Sequence, residues 1–266
     1  MTQRNVLITG AGSGIGRALA ERYAAAGCAV ACADINSERA QETVNSLPGS
    51  GHSAHQVDVG SDASFDAFAT AINARTPTLD VLINNAGIAS GGSMLEAEMS
   101  EWRELLEIDL LSVVRGCRAF LPGMLKSGRG QIISTASFAG LAGAPGIMTY
   151  GVAKAGVVAL SEQLRAEVAA RGVRVSVACP SFLQTKLLES FRGSEKMRGA
   201  AGRLMQHSAD TLDSVADRYF AAAERGDFLI LPTRTETLRW RIKRWFPEYY
   251  FRKLQAATSE RRQALK

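Results

Sequence analysis

The stretch TGAGSGIGRALA, residues 9–20, ends one apolar run and opens a helical pattern. The run before it, NVLITG at 5–10, is rich in Val, Leu and Ile, as a buried strand is. Gly10, Gly14 and Gly16 permit a tight turn and a close approach of the backbone to a phosphate, and the following helix N-terminus supplies a complementary positive field. The stretch therefore predicts the first strand, turn and helix of a dinucleotide-binding fold.

Short apolar runs alternate with helical patterns, such as 16–27 and 155–172, as far as about residue 232. Most of these runs lack polar alternation, which is typical of strands covered on both faces. Strands are predicted at 5–10, 28–34, 53–59, 79–87, 130–137, 174–180 and 228–232. We expect one α/β catalytic domain over 1–232, a Rossmann-like, doubly wound and mostly parallel seven-stranded sheet flanked by helices.

Composition excludes several other classes of protein. No stretch approaches the ~20 apolar residues that a membrane-spanning helix needs. The N-terminal MTQRNVLITG goes straight into a predicted strand, so we expect no signal peptide and a cytoplasmic location. With three histidines and no Cys/His cluster, we expect no metal site. The four cysteines are predicted to be buried apolar residues in a reducing compartment: Cys28, Cys32, Cys117 and Cys179.

An acidic residue follows the glycine turn at the distance that a dinucleotide site requires. Asp34 ends the second predicted strand, where a carboxylate can accept hydrogen bonds from an adenosine ribose. The same carboxylate would repel a 2′-phosphate, and neither Ser13 nor Ile35 supplies a cation to bind one. NAD is therefore the expected cofactor. NADP stays possible because Arg17 could reach toward this region.

The stretch TYGVAKAG, residues 149–156, places Tyr150 and Lys154 four residues apart, on one face of a helix. A lysine beside a tyrosine favours the phenolate and is expected to lower the pKa of the phenol from ~10 toward neutrality. Taken alone, such a pair is more often part of an ordinary surface helix. Its meaning depends on the rest of the chain.

The TGxxxGxG turn, NNAG at 84–87, Ser137 and the pair Tyr150 and Lys154 together resemble the short-chain dehydrogenase/reductase family, over roughly residues 4–190 and weakly on to 232. The resemblance implies an NAD(P)-dependent oxidoreductase. Ser137 would hydrogen-bond the substrate oxygen, Tyr150 would give and take the proton, and Lys154 would bind the nicotinamide ribose. Two donors near the oxygen would stabilise the negative charge that hydride transfer to a ketone develops there.

The resemblance also implies which residues contact the cofactor. Asp58 and Val59 would flank the adenine, 84–87 would lie along the adenosine side, and CPSFLQT at 179–185 would hold the nicotinamide carboxamide. The complete expected set is Gly10, Ser13, Gly14, Ile15, Gly16, Asp34, Asp58, Val59, Asn85, Ala86, Gly87, Tyr150, Lys154, Pro180, Leu183 and Thr185.

Two positions depart from the family pattern. EIDLLSV places Asp109 where the family usually has an Asn, which is thought to hold a water in a proton relay behind the lysine. We count Asp109 among the candidate catalytic residues. A buried carboxylate there would pair with Lys154 and could hold the pKa of Tyr150 higher than usual; alternatively, Asp109 is a tolerated near-isostere. Ser181 replaces the family's Gly after Pro180, and we attach no functional meaning to it.

The substrate class is inferred from the loops that should border the nicotinamide. Phe138, Leu141, Ile147 and Met148 line one loop, and a predicted lid at about 186–210 adds more apolar residues. An apolar pocket suits a hydrophobic secondary alcohol or ketone, unless these residues only pack the lid against the domain. An NADP-dependent ketoreductase and a cofactor-binding sensor or scaffold with weak turnover are the alternatives. The resemblance implies a homodimer through helices around 101–126 and 150–171, with a tetramer possible.

The segment 233–266 differs in charge from the rest of the chain. It holds ten of the 31 basic residues and three of the 26 acidic ones, a net +7 against −2 elsewhere. Leu238, Ile242, Trp245 and Phe246 share one face of a predicted helix that Pro247 ends. This basic amphipathic extension predicts peripheral contact with an anionic membrane. Alternatively, the stripe packs on the body or on a partner subunit. No nucleic acid is expected, because the tail shows no recognisable binding fold.

Overall fold

The computed structural model describes residues 3–76 and 78–263, with side chains as far as residue 258. Its sheet has the strand order β3-β2-β1-β4-β5-β6-β7, and every neighbouring pair is parallel. The strands are β1 (Asn5–Thr9), β2 (Ala29–Asp34), β3 (Ser53–Gln56), β4 (Val81–Asn84), β5 (Gly130–Thr135), β6 (Val173–Ala178) and β7 (Leu229–Ile230). The predicted seven-stranded, doubly wound sheet is confirmed.

Helices connect the strands and cover both faces of the sheet. They are α1 (Gly14–Ala25), α2 (Ser37–Ser46), α3 (Asp62–Arg75), α4 (Met99–Leu106), α5 (Ser112–Ser127), α6 (Phe138–Ala142), α7 (Met148–Val168), α8 (Glu195–Gln206), α9 (Leu212–Arg225), α10 (Glu236–Trp245) and α11 (Pro247–Gln263). A π-helical turn, Glu107–Leu111, joins α4 to α5, and a 3₁₀ turn, Lys186–Ser190, precedes α8. The α7 helix begins well before the predicted residue 155, so Tyr150 lies in its first turn.

Successive residues of the central strands point to opposite faces, yet both sets are buried. Leu7, Leu82 and Ile132 belong to one core cluster, while Ile83 and Ile133 belong to the cluster on the other face. Both faces are therefore covered by helices, which explains why the sequence of these strands shows no polar alternation.

The order of the strands places a crevice at the carboxyl ends of β1 and β4. The chain runs from β1 outward to β3 and then returns to the other side of β1, which is the topological switch point where open α/β sheets bind ligands. The backbone N–H groups of Asn85 and Ala86 donate to Thr9 Oγ1 at 3.0 and 3.1 Å. The NNAG segment is thereby tied to the start of the glycine turn.

The predicted helical extension is present, but it contains two helices. The α10 helix ends at Trp245, as the position of Pro247 predicts. Pro247 then begins α11, because the first turn of a helix does not use the N–H that proline lacks. Among the described residues, no helix is long and apolar enough to cross a membrane. All four cysteines are free and buried, as the sequence predicts.

Candidate active site

The glycine turn brings backbone segments together more closely than any other residue type permits. Gly10 and Gly14 have φ angles of +66° and +53°. A Cβ at Gly16 would lie 2.1 Å from the carbonyl oxygen of Gly10, and one at Gly10 would lie 2.8 Å from Cα of Ala86. Glycine is therefore required at these positions by the backbone itself.

The first turn of α1 presents its N–H groups without a side-chain cap. Asn36, Ser61 and Thr211 each cap the helix that follows them, whereas Ser13 accepts no capping hydrogen bond from the described backbone of α1. A helix start with open N–H groups beside a glycine cradle is a site for phosphate. The residues at the end of β1 therefore fit the pyrophosphate of a dinucleotide.

Asp34 is held in a fixed orientation at the end of β2. Its two carboxylate oxygens accept the N–H groups of Gly12 at 2.8 Å and of Asn36 at 3.0 Å. Arg17, the cation considered for a 2′-phosphate, is engaged on α2, where it donates to Thr43 Oγ1 at 2.8 Å and pairs with Glu42 at 3.2 Å.

The sequence interpretation missed a second cation beside this corner, Arg39. A Cβ on Gly12 would lie 2.8 Å from Arg39 Cβ and 2.7 Å from Asp34 Oδ2. The Arg39 guanidinium pairs with Glu189 of the 186–190 turn at 2.9 Å. Nothing in the spacing of Arg39 from Asp34 marks it as a neighbour of the glycine turn, because only the start of α2 brings the two together.

The remaining expected cofactor residues surround the same crevice. Val59 is buried and Asp58 exposed just past β3. Pro180 and Leu183 are buried beyond β6, and Thr185 Cβ lies 3.3 Å from the position of a Cβ on Gly14. A cleft of about 440 Å³ opens between Gly14, Thr185 and Met205. The structure thus gathers the residues of the expected cofactor set at one edge of the sheet.

Ser137, Tyr150 and Lys154 come together at the carboxyl end of β5. Ser137 is the N-cap of α6, where its Oγ accepts the N–H of Ala139 at 3.1 Å. The Ser137 side chain lies close enough to Tyr150 to lower the pKa of the phenol, and Ser137 Oγ donates a hydrogen bond to the carbonyl oxygen of Pro180 at 3.4 Å. Lys154 Nζ donates to the carbonyl oxygen of Thr135 at 3.3 Å and lies 5.8 Å from the centre of the Tyr150 ring.

Asp109 forms the predicted ion pair with Lys154. The Asp109 side chain is fully buried in the π-helical turn, and its Oδ2 lies 3.6 Å from Lys154 Nζ. Its Oδ1 accepts the N–H of Ile88 at 2.8 Å, while Oδ2 has no hydrogen-bond partner among the described groups. Burial raises the pKa of the Asp109 carboxyl, and the Lys154 charge acts in the opposite direction. A Cβ at Gly87 would lie 2.9 Å from Asp109 Oδ1, so this pair also requires a glycine beside it.

The expected lowering of the tyrosine pKa is wrong for this structure. Burial raises the pKa of Tyr150, the Asp109 carboxylate raises it further, and the Ser137 side chain lowers it. The expectation drawn from Lys154 alone failed, whereas the direction agrees with the alternative stated for Asp109, whose carboxylate raises the pKa of Tyr150. The Lys154 charge is paired with Asp109, whose negative charge opposes formation of the phenolate.

A close contact between α6 and α7 also escaped the sequence interpretation. A Cβ at Gly140 would lie 2.6 Å from the backbone carbonyl carbon of Lys154 and 2.7 Å from the N of Ala155. The α6 backbone therefore rests directly on α7 at the lysine. In the sequence, Gly140 is one of three glycines between 140 and 146, and no pattern singles it out.

The expected substrate loops meet the predicted lid. Phe138 is buried, and Leu141, Ile147 and Met148 are partly buried. The lid places Phe191 and Met197 against Gly91, at 2.9 and 3.1 Å from the position of its Cβ. Arg192 binds the Glu104 carboxylate through two hydrogen bonds of 2.8 and 2.7 Å. These contacts agree both with an apolar pocket wall and with simple packing of the lid.

Residues 4–196 match the family described as short chain dehydrogenase. This chain belongs to the short-chain dehydrogenase family. The 3-oxoacyl-[acyl-carrier-protein] reductase FabG of Escherichia coli K12 is 34% identical over 206 residues, which cover 77% of this chain and 82% of that protein. Meso-2,3-butanediol dehydrogenase of Serratia marcescens is 33% identical over 228 residues, covering 84% and 89%.

Solved structures of short-chain dehydrogenases agree with this assignment. A short-chain dehydrogenase/reductase from Burkholderia phymatum in complex with NAD has a TM-score of 0.85 and 28% identity, and the match covers 93% of this chain and 95% of that one. One from Sphingobium yanoikuyae in complex with NADPH has a TM-score of 0.78 and 26% identity, covering 98% and 94%. This short-chain dehydrogenase is therefore an NAD(P)-dependent oxidoreductase that acts on CH–OH groups or the corresponding ketones.

Proposed function

We propose that this short-chain dehydrogenase transfers a hydride between NAD and a hydrophobic secondary alcohol or its ketone, with Tyr150 as general acid and base. The observation that carries the proposal is the grouping of the Ser137 and Tyr150 side chains beside the buried pair of Asp109 and Lys154. Two neighbouring hydroxyls can both donate a hydrogen bond to one substrate oxygen when it enters between them.

The side chains would act in a defined order. In the alcohol direction, the Tyr150 phenolate takes the proton from the substrate hydroxyl while Ser137 donates a hydrogen bond to the same oxygen. The nicotinamide, when bound, supplies the hydride acceptor. In the ketone direction Tyr150 returns the proton to the developing alkoxide. Lys154 would bind the nicotinamide ribose, and the Asp109 carboxylate balances its charge.

The choice of NAD over NADP rests on Asp34, whose carboxylate is fixed where a 2′-phosphate would enter. Thermal unfolding with each cofactor tests it, since a ligand that binds the folded state raises its stability by an amount that grows with the logarithm of its affinity. NAD is expected to raise Tm more than NADP at the same concentration. Stronger stabilisation by NADP would favour the alternative, an NADP-dependent ketoreductase.

The hydrophobic substrate class rests on the apolar loop at 138–148 and on Phe191 and Met197 of the proposed lid, 186–210. Oxidation of a panel of secondary alcohols of increasing apolar size, with NAD, is the direct test. We expect kcat/KM to rise with apolar size. Turnover confined to small polar alcohols or sugars would refute the substrate class, and tight NAD binding without any turnover would favour a cofactor-binding sensor.

We also propose a homodimer through α5 and α7. An apolar groove of about 540 Å³ runs between these helices, lined by Cys117, Leu121, Leu125, Leu160 and Leu164. A groove of this kind on a surface helix pair suits a second copy of the same pair. Light scattering at micromolar concentration is expected to give the mass of a dimer. The mass of a tetramer or of a monomer would contradict this assembly.

A second proposed property is reversible contact with an anionic membrane through the C-terminal extension. Leu238, Trp245 and Phe246 are 65%, 74% and 64% exposed, so three of the four residues of the predicted apolar stripe are not covered by the chain's own body, and Ile242 is partly buried. The segment carries a net charge of +7. Exposed aromatic residues among cations are typical of an interfacial helix.

Co-sedimentation with vesicles tests the membrane contact against a dimer partner that covers the same stripe. Full-length protein is compared with Trp245→Glu and with Leu95→Glu, a matched change at a body residue that is 97% exposed. We expect binding to anionic but not to neutral vesicles, and its loss in Trp245→Glu alone. Equal behaviour of the two variants would remove the membrane contact. A change of oligomeric mass in Trp245→Glu would assign the stripe to a partner subunit instead.

A further inference from the structure

The short helix α6 occupies the corner between the catalytic helix and the C-terminal extension. Ser137 caps its N-terminus, Gly140 rests on the backbone of Lys154, and Gly143 ends it with a φ of +65°. A helix of five residues has few internal hydrogen bonds, and isolated helices this short are unstable in water. Its position therefore depends on what holds it from outside.

The α10 helix packs against α6 through a face that its pattern of apolar residues does not predict. Glu236, Trp240 and Lys243 follow each other at spacings of four and three residues, so they share one face. Glu236 is buried, and Trp240 and Lys243 are partly buried, while Leu238 and Trp245 of the predicted apolar stripe point away into solvent. The extension is thus docked on the body by its more polar face.

Lys243 makes the specific contact between the two helices. Its Nζ donates a hydrogen bond to the carbonyl oxygen of Leu141, and it lies 3.5 Å from the position of a Cβ on Gly143. A cation at this end satisfies a carbonyl that the helix cannot satisfy itself. Burial lowers the pKa of Lys243, in keeping with a contact made at the helix interface rather than in solvent.

We propose that Lys243 is a positioning residue for the reaction: by holding the C-terminal end of α6, it fixes the Ser137 hydroxyl at the other end against Tyr150. The two ends of α6 are four residues apart, and the helix between them is clamped on α7 at Gly140. A shift of α6 would therefore move Ser137 relative to a fixed Tyr150. This proposal rests on the proposed role of Ser137 as a donor to the substrate oxygen.

Three full-length variants test it. Lys243→Met removes the ammonium but keeps an unbranched side chain, Lys243→Arg keeps a cation, and Arg241→Met makes the same charge change at an exposed position on α10. We expect Lys243→Met to lower kcat about tenfold, or ~1.4 kcal/mol of barrier. The dissociation constant for NAD should stay within about twofold, because the glycine turn is formed by other segments. Lys243→Arg should recover most of kcat, and Arg241→Met should match the parent protein.

Hydrogen exchange of the amides at 138–142 gives a second measurement that does not depend on knowing the substrate. We expect faster exchange there in Lys243→Met than in Arg241→Met, with the strands of the sheet unchanged. Unchanged exchange at 138–142, or equal kcat in the two Met variants, overturns the proposal. Faster exchange throughout the sheet overturns it as well, since Lys243 would then be a general stability residue. Local exchange without turnover of any alcohol by the parent protein would sink the proposed function, while leaving Lys243 as the residue that holds α6.

Discussion

The glycine turn and the α6 corner lie at the same edge of the sheet, yet they differ in how far charged side chains hold them. In the turn, backbone meets backbone: a Cβ at Gly16 would lie 2.1 Å from the Gly10 carbonyl oxygen. In the corner, charged side chains from distant segments make the contacts. Asp109 pairs with Lys154 of α7, and Lys243 donates to the carbonyl oxygen of Leu141 in α6. The turn is therefore held mainly by close backbone contacts, whereas the corner combines a close backbone contact at Gly140 with charged contacts, and the corner should respond more strongly to pH.

The largest expected effect is in the corner, from Tyr150→Phe. Loss of the phenol removes the general acid and base, and we expect kcat to fall about 10³-fold, or ~4 kcal/mol of barrier, with NAD binding retained. Tyr23→Phe is the matched control, because the Tyr23 hydroxyl is buried without a partner among the described groups. Steady-state kinetics and NAD titration measure both. Activity of Tyr150→Phe above about a tenth of the parent value would contradict the proposed mechanism.

In the glycine turn, Gly16→Ala should weaken NAD binding at least ~100-fold, which is ~2.7 kcal/mol, because the added methyl displaces the Gly10 backbone. Gly199→Ala adds the same methyl in α8, where the nearest atom is a flexible arginine tip at 3.8 Å. That control should bind NAD normally and be slightly more stable. Isothermal titration and thermal unfolding decide the matter. Near-normal binding by Gly16→Ala would mean that the turn is softer than its contacts indicate.

The choice between NAD and NADP is expected to depend on Asp34 and Arg39, which lie beside the glycine turn at Gly12. Asp34→Ser removes the charge that opposes a 2′-phosphate and leaves Arg39 beside the site. We expect the ratio of kcat/KM for NADP to that for NAD to rise about tenfold or more, or ~1.4 kcal/mol. Adding Arg39→Met should reverse part of that gain. An unchanged ratio in Asp34→Ser would show that Asp34 does not face the ribose.

The smallest expected effect is that of Asp109→Asn, and it concerns pH more than rate. The Asp109 carboxylate raises the pKa of Tyr150, so its removal should lower that pKa. Alcohol oxidation needs the phenolate, and its acid limb should therefore move to lower pH, with activity within about tenfold of the parent, ~1.4 kcal/mol. A pH–rate profile measures both. A large loss of rate with an unmoved profile would instead assign Asp109 to local packing.

The two regions also differ in how far the sequence predicts them. The glycine spacing, Asp34 and the pair Tyr150 and Lys154 follow from local pattern, and the structure brings them to one edge of the sheet. The ion pair of Asp109 with Lys154 was anticipated from a resemblance, since the two residues are far apart in sequence. Its effect on the Tyr150 pKa was not fully weighed, because opposing charges and burial can be balanced only with distances in hand.

The face of α10 that packs on α6 shows most clearly what the sequence alone cannot predict. An apolar stripe in a helix normally marks the buried face, and on that rule Leu238 and Trp245 should face the body. The structure instead buries Glu236 and partly buries Lys243, whose Nζ donates to the carbonyl oxygen of Leu141 at the end of α6. The spacing of apolar residues reports only which face of a helix is hydrophobic. It cannot predict a hydrogen bond to an unsatisfied carbonyl group on another helix.

The bond from Lys243 to Leu141 also has a consequence for biosynthesis. It joins residues 102 positions apart, and ribosomes add roughly 5–20 residues per second. Roughly 5–20 seconds therefore pass between synthesis of the α6 segment, next to Ser137, and synthesis of Lys243, which holds that segment. The glycine turn closes on Asn85 and Ala86 much earlier in translation. A nascent chain would thus contain every residue of the expected cofactor set before Lys243 is made, so the proposed alignment of Ser137 would be the last part of the site to form.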